Sequence, residues 1–361
     1  MVDIAHRSAV ASILGSVHRA GRAAALDGRG GRARTVLAVL ACMVLAGCGG
    51  PAPVAGGVAA EPAEAPEART PPAGTVVTVG ALPEGLVADP ATHLVAVAVR
   101  DPARLVLVDG RDGTAVGEVP LPGTVRHLQL AAPGGPVLVP VEGSGRLVRV
   151  GLPGGAILGD APTGAGPHDA TAAANGQVFV ADEAGGSVTV LDGERVVATV
   201  DGPAQPGGIA AARNLVGVID VRGSTLTVLD AVSGTGLATV PAGDGPTHLV
   251  ADRRGRLILT DTRGDALLTF ELTPQVRLVD TVPLPGRPYG IAYDPVRDRL
   301  WVTLTDRNEL VGFDLASGTP VEIARLPTVG QANSVAVDSA TGRVFVAGVA
   351  GGNLALVDPP R

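Results

Sequence analysis

The chain has 361 residues, with 28 basic side chains against 35 acidic ones and a formal net charge of −7. Hydrophobic residues make up 46% but aromatic ones only 2%, so any large core must be built from Val, Leu, Ala and Ile. The acidic balance excludes nucleic acid as an expected partner, because no arginine cluster reverses it locally.

Every basic residue is arginine, and 51 Gly and 30 Pro are spread along the whole chain. That composition predicts many turns rather than long helices.

The first element is an eleven-residue apolar run over 36–46, preceded by Arg32 and Arg34. A membrane span needs about 20 such residues, whereas the core of a signal peptide needs about 7–15. The run ends in Leu45-Ala46-Gly47-Cys48. This ending resembles the lipobox of bacterial lipoproteins, in which small residues precede a cysteine that becomes acylated. The resemblance implies cleavage between Gly47 and Cys48, a discarded signal over 1–47 with a long basic lead-in, and lipidation of Cys48. Two acyl chains would hold the protein stably on a membrane. Cys42 falls within the discarded part, so no thiol is left for a disulfide or for cysteine catalysis. Six Arg and two Asp precede Cys48, so the remainder carries 22 basic against 33 acidic groups, a formal charge of −11.

Residues 48–74 are rich in Pro, Ala, Gly and Glu without periodicity, and read as a linker holding the body clear of the membrane surface.

From Thr75 onward the chain repeats. Leu86, Leu128, Ala170, Ile209, Leu249, Ile291 and Val335 occupy one register, at intervals of 39 to 44 residues. Each unit carries four short apolar or alternating segments separated by Gly, Pro, Asp or Asn turns. Four strands per unit of about 40 residues is the pattern of a propeller blade. The seventh unit ends after three strands, while an orphan strand, "TVVTV" at 75–79, precedes the first. Residues 75–361 are therefore expected to form an all-β, seven-bladed β-propeller of four antiparallel strands per blade. The N-terminal strand should close the last blade and remove its exposed edge.

Three units carry Phe179-Val180-Ala181-Asp182 with "SVTVLD", Trp301-Val302-Thr303 with "ELVGFD", and Phe345-Val346-Ala347 with "NLALVD". These segments resemble the YVTN repeat family of bacterial propellers, although no unit keeps the full tetrapeptide. The resemblance implies the fold and leaves the activity open.

The two residues before each aligned position should line one mouth of the central channel. They include Glu84, Arg126, His127, His168, Asp169, His248, Tyr289 and Asn333. Three of the four body histidines fall in this ring, and only His93 lies elsewhere. Such a ring can bind a polar ligand or move a proton, or it can simply satisfy crowded strand ends. Neither a His-x-x-x-His pair nor a dense acidic loop is present, so no metal and no cofactor is expected. The Asp residues that close third strands (Asp109, Asp192, Asp230, Asp314 and Asp358) should cap the following turns.

The sequence thus predicts a membrane-anchored extracytoplasmic lipoprotein whose propeller binds or scaffolds an envelope protein, a glycan or a small ligand. The alternative is a propeller enzyme, comparable to lyases and lactonases, that uses the histidine-rich channel mouth.

Overall fold

The computed structural model describes residues 57–360. Gly47, Cys48 and the signal segment lie outside the described residues. Among the described residues, no helix is long and apolar enough to cross a membrane.

Seven four-stranded antiparallel sheets stand around a common axis. Their innermost strands are Ala81–Ala88, Gln129–Leu130, Pro167–Ala172, Pro206–Ala212, Pro246–Ala251, Pro288–Asp294 and Ala332–Asp338. Each lies beside the inner strand of the next blade, and the last lies beside the first, so the ring is closed. The second and third strands are sandwiched between blades and read as continuous buried runs, as in Val178–Asp182 and Ser187–Asp192. The outermost strands face water and alternate, as in Arg195–Asp201.

Closure follows the expected device. Thr75–Thr78 pairs antiparallel with Asn353–Val357, with Thr75 opposite Leu356 and Thr78 opposite Asn353. Blade seven therefore has its fourth strand from the opposite end of the chain. At this seam Phe345 and Ala347 of blade seven pack against Val95, Val97 and Val99 of blade one.

The few large aromatics are spent on the core. All four Phe and the single Trp are buried almost completely. Gly312 sits opposite Trp301 in the ladder, and a Cβ there would approach the indole ring to 2.5 Å.

Aspartates tie the turns together. Asp109, Asp230 and Asp314 accept backbone N–H groups of the turns that follow them, as the sequence predicts. Asp192 and Asp358 instead pair with Arg195 and Arg343. His93, outside the channel, meets Asp338 at 2.8 Å and joins blade one to blade seven.

Residues 57–73, expected within a linker, lie against one face of the propeller. Gly57 N–H donates to Arg222 O, and the Arg263 guanidinium donates to Val58 O at 2.6 Å. Gln331 brackets the strap by donating to Ala63 O and accepting from Ala65 N–H, both at 2.9 Å. Further along, Asn308 donates to Pro66 O and Ala73 N–H donates to Pro327 O. Arg222, Arg263 and Asn308 lie in turns between second and third strands, and Pro327 and Gln331 lead into an inner strand, all on the face where the inner strands begin. The strap therefore crosses the same mouth that carries the predicted ring of polar residues.

Candidate functional site: a blind channel with a histidine plug

The strand starts bring the three histidines together. The ring of His127 lies 4.6 Å from that of His168 and 4.5 Å from that of His248, centroid to centroid. Tyr289 stands edge-on to His248 at 4.5 Å. These four rings come from blades two, three, five and six and meet on the axis, where they plug the channel.

Hydrogen bonding fixes the protons of the plug. His248 Nδ1 lies 3.0 Å from Tyr289 O, a pure acceptor, so Nδ1 carries the hydrogen. In the neutral ring Nε2 is then the acceptor, and it receives the Nε2–H of His127 at 3.1 Å. Burial, reinforced by the charge on His168, pushes His248 down to about 3. Burial and both neighbouring histidines hold His127 well below the usual range. Burial also raises the Tyr289 phenol. His127, His248 and Tyr289 are thus neutral at physiological pH.

His168 is its charged edge. Nδ1 lies 3.0 Å from Glu183 Oε2 and 3.4 Å from Glu142 Oε1. Burial opposes protonation, but the two carboxylates overcome it and raise the imidazole to about 9. Glu183, against the cost of its own burial, is lowered to about 2, chiefly by His168 and by Gln205, which donates to Oε1 at 2.9 Å. Arg126 reaches Glu142 at 3.1 Å and Glu61 of the strap at 3.8 Å. Among the described residues, Glu142, His168 and Glu183 are the one set of three His or acidic groups whose ligand atoms fall within 4.8 Å of each other.

The other predicted residues divide between roles. Asp169 lines the channel, but its carboxylate is engaged: it accepts Ala170 N–H, Gln129 Nε2–H and Ile209 N–H, stapling blades two, three and four. Burial raises its carboxyl to about 6. Glu84 pairs with Arg100 at 2.6 Å, and Ser334 hydroxyl donates to Glu84 O. Asn333 accepts from Gln331, the same side chain that holds the strap.

Glu142 and Glu183 were not singled out by the sequence reading. Each follows the second strand of its blade, where blades four to seven carry Val221, Thr262, Thr305 and Val349. The signal was a pair of carboxylates at that position in two adjacent blades.

Beyond the plug the channel widens into a cavity of about 660 Å³. His127 and His248 form part of its floor, and Leu86, Leu128, Leu249, Ile291 and Val335 contribute apolar wall. The lining continues to the turns after the inner strands, where Pro133, Arg213, Arg253 and Pro295 form an exposed rim. The cavity therefore opens on the face opposite the strap.

No family model matches the sequence, and no curated protein matches it. Solved structures do match in fold. A chain of the mitotic checkpoint complex is 14% identical with a TM-score of 0.68, covering 83% of this chain and 99% of that one. Kuenenia stuttgartiensis hydrazine synthase is 15% identical with a TM-score of 0.66, covering 77% of this chain and 96% of that one. A catalytically inactive histidine-to-alanine form of virginiamycin B lyase from Staphylococcus aureus with quinupristin is 15% identical, with a TM-score of 0.65. That match covers 78% of this chain and 98% of the lyase. Enzymes and an assembly component share the architecture, so the likeness carries the fold alone.

Proposed function

We propose that this chain is a lipid-anchored, extracytoplasmic binding protein that holds a small ligand in its blind central channel. The observation that carries the reading is the cavity of about 660 Å³, plugged at one end by His127, His248 and Tyr289 and open at the other. A concave site in which apolar side chains are interspersed with convergent polar groups can hold a small molecule. His248 is satisfied at both nitrogens, which leaves His127 Nδ1 as the imidazole acceptor of the pair, and Arg213 at the rim favours a ligand with an anionic end.

The anchor rests on Leu45-Ala46-Gly47-Cys48 and the apolar run before it. A body of formal charge −11 beyond that point suits attachment through lipid rather than through charge. Membrane attachment through Cys48, on the extracytoplasmic side, completes the proposal.

Catalysis is the second reading, and a specific feature favours it. His168 is held protonated while His248 is held neutral, with His127 in contact with both. Titratable groups pushed apart in this way can serve as acid and base.

The binding reading is tested by ligand-detected NMR of a library of small carboxylates and neutral amphiphiles against the wild-type body and Ala211→Trp. The tryptophan would fill the cavity from its wall. Binders to the wild type that are lost in the variant support the reading. A wild type that binds none, or a variant that binds the same set, contradicts it.

A further inference from the structure

On the strap side of the plug, the geometry points to a divalent metal site formed by His168 Nδ1, Glu142 and Glu183, suited to Zn²⁺ or a similar borderline ion. This site is separate from the channel cavity, whose lining includes none of the three residues, and it does not depend on the ligand reading above.

The first observation is distance. A tetrahedral ion with bonds of about 2.1 Å has ligand–ligand edges of about 3.4 Å. His168 Nδ1 stands 3.4 Å from Glu142 Oε1 and 3.0 Å from Glu183 Oε2. All three ligand atoms lie within 4.8 Å of one another, so a small rotation of one carboxylate completes the triangle.

The second observation is the burial of the imidazole. His168 is only 7% exposed, and its Nδ1 pairs with Glu183 Oε2 and Glu142 Oε1 by charge without the alignment of a hydrogen bond to either. The three atoms cluster within reach of one ion. A buried nitrogen without an aligned hydrogen bond is costly. A cation between nitrogen and oxygens would satisfy all three donors at once.

The surroundings are those of a ligand set. Glu183 Oε1 accepts from Gln205 at 2.9 Å, which fixes that carboxylate with its other oxygen toward His168. Glu142 and Glu183 are partly exposed, so an ion can enter from the strap face. Arg126 pairs with Glu142 Oε1 at 3.1 Å, so an ion would share that oxygen with it or displace it toward Glu61 and Glu84. Binding would displace the Nδ1 proton of His168, after which two carboxylates and a neutral imidazole balance a divalent ion, and the mixed oxygen and nitrogen donors favour Zn²⁺ over Mg²⁺.

The test is isothermal titration of the chelator-treated body with ZnCl₂ and, separately, MgCl₂. Saturable one-to-one Zn²⁺ binding is expected, with Mg²⁺ at least tenfold weaker. Glu183→Gln and His168→Gln should each weaken Zn²⁺ at least tenfold while Trp301 emission stays native. Absence of saturable Zn²⁺ binding, or equal binding by the folded variants, overturns the proposal. Mn²⁺ added to the wild type gives a reading that needs no variant. Selective broadening of the His168 and His127 imidazole resonances supports the site, whereas broadening confined to surface carboxylates overturns it.

Discussion

His248 Nε2 meets His127 Nε2 at 3.1 Å across the channel, although 121 residues separate them in the chain. The contact exists because the inner strands of blades two and five begin at the same height on opposite sides of a narrow ring. Only one hydrogen fits between the two nitrogens. Protonating His248 would place two N–H groups head to head.

This gives a pH dependence with a definite sign. An unfolded histidine titrates near 6.5, whereas His248 in the fold titrates at about 3. Between these values the unfolded state binds more protons, so this group's contribution to stability is full above about pH 6.5 and lost as pH falls toward 3. Thermal unfolding followed by Trp301 emission should therefore fall more steeply from pH 7 to pH 4 for wild type than for His248→Gln. Parallel curves would refute the neutral plug.

The second prediction concerns the core. Gly312 faces Trp301, and its added Cβ would lie 2.5 Å from the ring. Gly312→Ala should cost about 1–3 kcal/mol, the range for overpacking. Urea unfolding checks this, with a red shift of Trp301 emission expected if the indole is displaced. An unchanged midpoint would mean that the blade relaxes freely.

Ring closure can be broken without shortening the chain. On an edge strand, consecutive N–H groups point alternately toward and away from the partner. Replacing both Val76 and Val77 by proline therefore removes at least one bond to Asn353–Val357. The freed edge of blade seven should lower the melting temperature and promote association, measured by light scattering after gel filtration. A monomer with wild-type melting would show that closure by this strand contributes little.

The strap is expected to be local in its energetics. Gln331→Ala removes the two bonds that bracket Ala63 and Ala65. Each is worth about 1 kcal/mol. Amide exchange at Ala65 should rise severalfold while the Trp301-monitored melt stays within a degree or two of wild type. Unchanged exchange would mean that the other contacts hold the strap alone.

The architecture was legible because the repeat spacing is nearly constant and the two ends of the chain each lack what the other supplies. The meeting of His127, His168 and His248 was legible for a related reason: strand register converts a sequence offset into a height along the axis. The direction of each side chain at that height was not. His168 and Asp169 are adjacent, yet one points toward two carboxylates while the other staples neighbouring backbones. Glu142 and Glu183 escaped notice because they enter from second-strand ends, one layer outward. The segment over 57–73 has no periodicity to betray a contact. Its attachment uses backbone groups against Gln331, Asn308 and Arg263, which any sequence can offer.

The central claim is that the blind channel holds a small molecule, and the most direct measurement is native mass spectrometry of protein purified from its own cells. Wild type should carry a discrete small-molecule adduct, and Ala211→Trp, folded and recovered in parallel, should carry none. Wild type appearing only at the mass of the polypeptide without an adduct, or the same adduct on both proteins, would contradict the account.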